Sequence, residues 1–245
     1  MIILGDIGNT ETKICLINKN KIIKKIFIPS KGKKKRILDK YLKKIKFSKV
    51  KKILFCSVVP STFKEVKNFF KKKTQIKCFE LKELNLRSIL KIDVNYKQVG
   101  SDRLANAICV SAKNKNFIIL DFGTATTFDV LIGKNYKGGI ISPGINLSLN
   151  TLSDKASLIP KINLKKMSKV IGKDTKSAVR SGFFWGYAGL IDNIINLIKK
   201  EIKKPFTVII TGGFSKLFKN SIKTKVKQDF DITINGLIKA SKLIK

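Results

Sequence analysis

The sequence predicts an α/β protein built from two similar halves, each with a mixed β-sheet. Its 245 residues are enough for one or two domains with a substantial core. A strand, a D-x-G turn, a second strand, another turn and a third strand occur at the N-terminus, and the same series restarts at Phe117. Strands and helices alternate after each series, as in α/β lobes. We therefore divide the chain into domains 1–115 and 116–245.

The first half opens with three short apolar runs separated by turn residues, the pattern of a β-meander. After a solvated basic stretch at 31–36, helical spacing of apolar residues predicts a helix from Ile37 to Ile45. Residues 80–99 have no clear pattern. The other elements predicted in this half are strands at 2–4, 13–17, 22–28, 53–59 and 76–79 and helices from about Ser61 to Phe70 and from Gly100 to about Asn114.

The second half repeats the meander and then continues with a polar segment to about Val170. A long helix from Thr175 to about Lys200 carries glycines at spacings of four and three, each costing up to about 1 kcal/mol in a helix interior. Either this helix packs loosely or another lobe or subunit approaches it closely. The other predicted elements are strands at 117–121, 127–132, 136–141 and 206–210 and a final helix at 237–243.

Composition excludes several classes of chemistry. The chain has no histidine, which removes histidine-based acid–base catalysis, Ser-His-Asp triads and histidine metal sites. Its net charge is +36, yet only four of the 52 basic residues are arginine, the side chain typical of nucleic-acid recognition. Codon drift toward lysine explains the excess better than a polyanion site, so nucleic-acid binding is possible but not favoured. The four scattered cysteines fit reduced core thiols.

The N-terminus predicts a cytoplasmic protein. Met1 to Leu4 leads directly into Gly5 and Asp6, without a basic segment followed by a long apolar one. No stretch approaches the ~18 apolar residues of a membrane span. We therefore expect a soluble protein without a membrane partner.

The two D-x-G turns predict a phosphate site. Gly8 allows the backbone to approach an oxyanion closely, and Asn9 and Thr10 add side-chain donors. Asp6 would hold Mg²⁺, directly or through water, because hard cations prefer oxygen ligands. An equivalent turn at Asp121 in the second half could grip a polyphosphate from the other side. This arrangement suits phosphoryl transfer, in which positioning and charge neutralisation supply most of the catalysis.

An ordered set of motifs resembles the type III pantothenate kinase family. The motifs span nearly the whole chain: Asp6 to Thr10, Ser57 to Pro60, Gly100 to Arg103, Asp121 to Thr127, Gly138 to Gly144, Ile171 to Thr175 and Thr211 to Gly213. The resemblance implies the acetate and sugar kinase/Hsp70/actin superfamily fold, with two ribonuclease-H-like lobes and an interlobe cleft. It also implies ATP-dependent phosphorylation of pantothenate to 4′-phosphopantothenate, the first step of coenzyme A biosynthesis.

The resemblance also implies a role for each matching residue. Asp102 falls on the catalytic base, Asp121 on the position that binds a monovalent cation (K⁺ or NH₄⁺), and the family forms homodimers. The ATP-binding positions are Asp6, Ile7, Gly8, Asn9, Thr10, Glu11, Thr12, Lys13 and Thr124. The pantothenate-binding positions are Gly100, Ser101, Asp102, Arg103 and Thr175. One departure is Asp93, which stands where the family often has a tyrosine that contacts pantothenate.

Chemistry agrees with these roles. An alcohol that attacks phosphorus needs a proton acceptor, and a carboxylate is the natural candidate without histidine. Arg103 could hold Asp102 or neutralise charge nearby, and an ion pair between them would lower the pKa of Asp102. Taken alone, the Gly100 to Arg103 segment predicts a helix N-terminus capped by Ser101 or Asp102. Two rival functions remain open at this point: a non-catalytic protein that binds polyanions, and a ribonuclease-H-like nuclease.

Overall fold

Two mixed β-sheets with the same strand order organise the chain. The structure is a computed structural model that describes residues 1–29, 34–43 and 45–244. The strands are β1 (Ile2–Ile7), β2 (Glu11–Asn18), β3 (Lys21–Pro29), β4 (Lys52–Ser57), β5 (Cys78–Glu80), β6 (Lys91–Ile92), β7 (Asn116–Phe122), β8 (Ala125–Ile132), β9 (Asn135–Pro143), β10 (Thr207–Gly212) and β11 (Val226–Gln228). The first sheet has the order β3-β2-β1-β4-β5, and the second has β9-β8-β7-β10-β11, with β6 beside β9.

Pairing directions also repeat between the sheets. β1 pairs antiparallel with β2 and parallel with β4, and β7 pairs antiparallel with β8 and parallel with β10. The helices are α1 (Lys34–Leu42), α2 (Pro60–Lys73), α3 (Ser101–Val110), α4 (Ile145–Lys155), α5 (Thr175–Ile202), α6 (Ser215–Phe218) and α7 (Ile232–Ala240). The predicted α/β class with mixed sheets and an internal repeat is confirmed.

The chain folds into two compact units. The first comprises Met1–Ser111, Lys134–Tyr136 and Asp231–Lys245, and the second comprises Ala112–Gly133 and Lys137–Phe230. This grouping differs from the division at residue 115 mainly at the C-terminus. The reason is physical: α7 packs against α3, β1 and β4, so it completes the core of the first unit.

The side chains of β1 alternate between the two faces of the first sheet, and different helices cover each face. Ile3 and Ile7 lie in a cluster with Phe55 of β4 and with apolar side chains of α1 and α2. Because successive side chains of a strand point to opposite faces, Asp6 lies on the other face. α3 and α7 pack on the sheet there. The C-terminal end of β1 therefore presents its carboxylate toward α3.

A glycine allows α3 and α7 to cross closely. A Cβ built at Gly236 of α7 would lie 1.8 Å from the carbonyl oxygen of Ala105 in α3. Nearby, Thr233 Oγ1 donates a buried hydrogen bond of 2.7 Å to Asn106 Oδ1. Residues distant in the sequence thus hold α3, the helix that carries Asp102.

The second unit has its own core. Phe122 of β7 and Phe184 of α5 each stack on Phe218 of α6, with ring centroids 5.4 and 5.7 Å apart. Ile145 and Leu149 of α4 join the same cluster. Each half of the chain therefore buries one face of its sheet under helices, which is how a mixed sheet becomes stable.

Several sequence predictions need correction. The segment predicted to be polar up to Val170 contains α4, which was missed because only Ile145 and Leu149 of that helix are buried. The final helix runs over 232–240 rather than 237–243, and a 3₁₀ turn follows it at Ser241–Leu243. The basic stretch predicted at 31–36 lies outside the described side chains. Within the part of the chain that is described, no helix has both the length and the apolar character needed to cross a bilayer.

Candidate active site

The first unit brings two of the predicted aspartates into one electrostatic environment. Asp6 is the last residue but one of β1, on the face covered by α3, and Asp102 lies in the first turn of α3. Cys56, the partner of Asp6 in the register of β4, donates a weak hydrogen bond from Sγ to Asp6 Oδ1 at 3.5 Å. The charges of both aspartates raise the pKa of the buried Cys56 thiol, after burial itself. The thiol is therefore a neutral donor beside Asp6.

The pKa values of both carboxyl groups are raised above the ordinary value of an aspartate. Burial, followed by the negative charge of Asp102, raises the pKa of Asp6 from 3.8 to about 6. The charge of Lys13 and the hydrogen bond from Cys56 act in the opposite direction. Burial also raises the pKa of Asp102. Perturbed carboxylates of this kind concentrate at sites that bind cations or move protons.

Arg103 lowers the pKa of Asp102, as predicted, but it does not set the net shift. Its backbone amide donates a 2.8 Å hydrogen bond to Asp102 Oδ1, and this bond and its charge both lower the pKa of Asp102. Burial is the larger effect, so the net shift is upward. The predicted effect of Arg103 therefore has the right direction, but the loss of hydration on burial outweighs it.

The start of α3 also differs from the predicted cap. Gly100 is the N-cap residue, with φ −59° and ψ 139°, and no side chain caps the helix. Ser101 and Asp102 are its first two helical residues. The serine hydroxyl donates instead to Glu80 Oε1. Asp102 is thus held by the backbone of its own helix and by the anchoring of its neighbour.

Glu80 is the site residue that sequence reasoning missed. It ends β5, and its carboxylate accepts from the Ser57 amide at 3.3 Å and from the Lys82 amide at 2.6 Å. It lies at the edge of residues 80–99, where no periodicity identified an element. Its cap of the following 3₁₀ turn through the Lys82 amide is local, but Ser57 and Ser101 lie more than 20 residues away, so no local pattern signals the link to α3.

The first hairpin uses part of its backbone internally. The Gly8 amide donates to the Glu11 carbonyl at 3.0 Å, which closes the turn, while Asn9, Thr10 and Glu11 are exposed at its tip. Lys13 is the register partner of Asp6 and lies on the same face of the sheet.

Two members of the predicted ATP segment lie on the opposite face. Ile7 belongs to the core cluster under α1 and α2, and Thr12 is its register partner. Thr12 is buried, and its hydroxyl has no hydrogen-bond partner among the described residues. The side chains of these two residues therefore point away from Asp6, and only their backbone shares its hairpin.

The second hairpin has the same construction. The Gly123 amide donates to the Ala125 carbonyl at 3.1 Å. A Cβ at Gly144 would lie 2.1 Å from the carbonyl oxygen of Thr124, so the start of α4 packs directly on this turn. The structure thus fixes Thr124 between β7 and α4.

Asp121 lies against the end of β10. Gly212 has φ +82°, and a Cβ there would lie 2.6 Å from Asp121 Oδ1 and 2.5 Å from the Phe122 carbonyl oxygen. Only glycine fits this position without strain. Two oxygens of the kind that bind hard cations therefore converge above a residue with no side chain.

Thr175, the remaining predicted contact, begins α5 and is exposed. The preceding Asp174 forms a capping box with Ser177, accepting from its amide at 2.9 Å. Thr175 and Thr124 belong to the second unit, whereas Asp6, Lys13 and Asp102 belong to the first.

A cavity of about 570 Å³ lies in the first unit. Lys82, Arg87, Lys91 and Tyr96 contribute to its lining together with leucine side chains. Tyr96 Oη donates to the Lys82 carbonyl at 3.2 Å, and the Lys82 ammonium lies 5.4 Å from the centre of the tyrosine ring. The charge of Lys82 also lowers the pKa of Asp102. A small molecule with an anionic group and apolar parts suits such a lining.

The first unit contains a carboxylate of the kind that binds a divalent cation. No group of three or more acidic or cysteine side chains among residues 1–29, 34–43 and 45–244 could hold a metal by itself. Mg²⁺ in phosphoryl-transfer enzymes usually needs only one or two carboxylates besides the substrate phosphates. Asp6, whose pKa is raised by burial and then by the charge of Asp102, could supply one such carboxylate.

Comparison with known proteins gives a consistent result. The profile of the family described as type III pantothenate kinase matches residues 2–197. A type III pantothenate kinase of Pelagibacter ubique (strain HTCC1062) is 65% identical over 248 residues, covering 100% of both chains.

Solved structures agree at the level of the fold. A Campylobacter jejuni protein put forward as a Baf family transcriptional activator has a TM-score of 0.65 at 20% identity, covering 98% of this chain and 97% of its own. The activator of 2-hydroxyisocaproyl-CoA dehydratase from Clostridium difficile, solved with bound ADPNP, has a TM-score of 0.52 at 13% identity, covering 98% and 92%.

Proposed function

Because the chain belongs to the type III pantothenate kinase family, we propose that Asp102 is the general base of the reaction. The family phosphorylates pantothenate with ATP in coenzyme A biosynthesis. The observation that carries the proposal is the position of Asp102 in the first turn of α3, half-buried and close enough to Asp6 for its charge to raise the pKa of Asp6. A base whose pKa is raised toward the working pH accepts a proton more readily than an ordinary aspartate.

The chemical step balances with these residues. As the primary hydroxyl of pantothenate attacks the γ-phosphorus of ATP, the new O–P bond forms and the bond to the β-phosphate oxygen breaks. The hydroxyl proton moves to the Asp102 carboxylate and is later released to solvent. The products are ADP and 4′-phosphopantothenate. Arg103 keeps a positive charge beside the base, which favours its ionised form before the attack.

Asp6 to Lys13 would bind the ATP phosphates. The exposed tip at Asn9 and Thr10 offers polar side chains, and Lys13 places a positive charge on the face of Asp6. Asp6 would hold Mg²⁺, which when bound neutralises phosphate charge and orients the γ-phosphoryl group. Thr124 would contact ATP from the second hairpin. Asp121, with the oxygens above Gly212, would bind a monovalent cation, K⁺ or NH₄⁺.

Pantothenate would bind near the Gly100 to Arg103 segment, and the cavity lined by Lys82 is our candidate for its carboxylate end. Pantothenate is a small anion with apolar methyl groups, which matches this lining. Tyr96 would supply there the aromatic surface that Asp93 cannot. We expect Lys82→Ala to raise the KM for pantothenate while leaving the KM for ATP unchanged. Equal effects on both constants would exclude the cavity.

We also propose a homodimer in the cytoplasm, with α5 at the contact. A Cβ at Gly182, Gly186 or Gly189 would meet no described atom within 4 Å apart from the neighbouring backbone of α5 itself, so these glycines do not serve close packing between the described elements. Ile141 is 65% exposed and Leu147 51% exposed in the same unit. Gly186→Glu should leave the fold intact and convert the dimer to monomer in analytical ultracentrifugation. A wild-type monomer would contradict the proposal.

Asp102→Asn tests the base directly. General-base assistance contributes about 10²–10⁴-fold, so we expect kcat to fall by that factor in a coupled ADP-release assay. The matched control is Asp39→Asn on α1, which removes a surface ion pair with Lys73 (2.9 Å) and should keep full activity. If Asp102→Asn keeps near-normal kcat, another group takes the proton.

A further inference from the structure

We propose that Glu80 is a positioning residue that fixes the start of α3, and with it Asp102, against the end of β4. The inference rests on the proposed role of Asp102 as the base. Glu80 itself does not touch the reacting groups in this proposal. It acts through Ser101, the residue directly before the base.

The Glu80 carboxylate joins three segments of the first unit. Its Oε1 accepts from the Ser57 amide at the end of β4, at 3.3 Å, and from the Ser101 hydroxyl at the start of α3. Its Oε2 accepts from the Lys82 amide at 2.6 Å, in the 3₁₀ turn that follows β5. Both carboxylate oxygens are therefore used, and each partner comes from a different element.

The start of α3 depends on this anchor because it has no side-chain cap. Gly100, the N-cap residue, has no side chain with which to satisfy the first helical amides. The Asp102 carboxylate bonds to the amide of Arg103 within its own helix, which orients the side chain but does not fix the helix to the sheet. The bond from Ser101 to Glu80 fixes this first turn, whereas the crossing with α7 holds α3 further along, and hydrogen bonds to a charged acceptor are the stronger kind.

Glu80 also belongs electrostatically to the site. Burial and the charges of Asp6 and Asp102 raise the pKa of the Cys56 thiol in β4, and the charge of Glu80 adds to this effect.

Replacing Glu80 with glutamine changes the hydrogen bonds of the carboxylate without changing the size of the side chain. It has the size of glutamate but only one acceptor oxygen, so it cannot accept from Ser101 and from the Lys82 amide through different oxygens. Glu80→Gln must therefore leave either the Ser57 amide or the Lys82 amide without its acceptor, and it gives the Ser101 hydroxyl an uncharged partner, which weakens the link to α3. Ser101→Ala removes the link to α3 alone. The matched control is Glu83→Gln in the same turn, which makes the same charge change but affects a surface pair with Lys67 (2.9 Å).

The experiment measures kcat, the KM for ATP and the ATP-binding stoichiometry of these purified full-length variants. We expect Glu80→Gln and Ser101→Ala each to lower kcat about tenfold or more, since a misplacement of ~1 Å can cost 10²-fold. The KM for ATP and the number of ATP sites per chain should stay unchanged. The double variant should be no worse than the more impaired single variant, because both changes break one link. Glu83→Gln should retain wild-type kcat.

Several outcomes would overturn the inference. A kcat of Glu80→Gln within twofold of wild type would do so, and so would an equal loss of kcat in Glu83→Gln. A loss of kcat that is fully explained by a smaller number of ATP sites per chain would show misfolding instead of mispositioning. Additive losses of kcat in the double variant would show that the two changes do not break one link. Asp102→Asn, measured in parallel, separates this inference from the proposed base. If Asp102→Asn is active, the base assignment fails. If it is inactive while Glu80→Gln is normal, only the role of Glu80 fails.

Discussion

Gly236 of α7 offers a way to move the helix that carries Asp102 without touching the site. Replacing it with alanine would place a Cβ 1.8 Å from the Ala105 carbonyl oxygen and 2.6 Å from its carbonyl carbon, where ordinary contact begins at 3.4 Å. Both atoms belong to backbone, so no side chain can rotate away. The two helices must separate by more than ~1 Å, because close-packed interiors transmit such strain.

Gly236→Ala should lower both the free energy of unfolding and kcat. Overpacking typically costs about 1–3 kcal/mol, and the better helix propensity of alanine returns up to about 1 kcal/mol. We therefore expect Gly236→Ala to lower the free energy of unfolding by about 1–2 kcal/mol in urea melts. Since Asp102 lies one helical turn before Ala105, kcat should fall at least about tenfold at saturating substrates.

Asn235→Ala is the matched control for this experiment. It changes the neighbouring, half-exposed residue of α7 and should alter stability by no more than about 0.5 kcal/mol. If Gly236→Ala has the stability and kcat of wild type, the close crossing of α3 and α7 is not a constraint. A loss of stability with full kcat would show that the crossing does not position Asp102.

Three further predictions concern charge and backbone strain. The raised pKa of Asp6 means that ionising it opposes folding, so wild-type stability falls as pH rises from 3.8 through about 6. Asp6→Asn should be more stable than wild type by up to about 3 kcal/mol at pH 8, with the gap closing near pH 4 in denaturant melts; a constant gap would contradict this. Gly212→Ala, at φ +82° and against the Phe122 carbonyl, should cost about 1–3 kcal/mol and abolish any dependence of activity on K⁺; wild-type stability would refute the strain. With net charge +36, the Tm should rise from low salt to about 0.5 M NaCl as repulsion is screened, whereas a falling Tm would show that attractive pairs dominate.

Local pattern was sufficient for the elements around the two hairpins. Strands β1 to β4 and β7 to β9 lie where the apolar runs and the turn residues between them predicted strands. The sequence repeat around Asp6 and Asp121 corresponds to the repeated strand order of the two sheets. Weakly patterned elements were missed or misplaced. α4 buries few residues, and α7 begins five residues earlier than the spacing of its apolar residues indicated.

The candidate site was predictable in part. The motifs directed attention to Asp6 and Asp102, and the structure shows that they share an environment. The roles assigned to them remain proposals. Thr12, which the motifs also place among the ATP-binding positions, does not share this environment. Because side chains alternate along β2, its side chain points into the core, away from Asp6.

The order of residues along the chain determined the α/β class, the internal repeat and the family, because strand periodicity, turns and short motifs are all local properties. Tertiary structure alone decided that burial outweighs Arg103 at Asp102, that Glu80 joins β4 to α3, and that α7 completes the first unit. These features depend on desolvation and on contacts between residues far apart in the chain. Neither the burial of a side chain nor a contact between distant residues exists until the chain has folded.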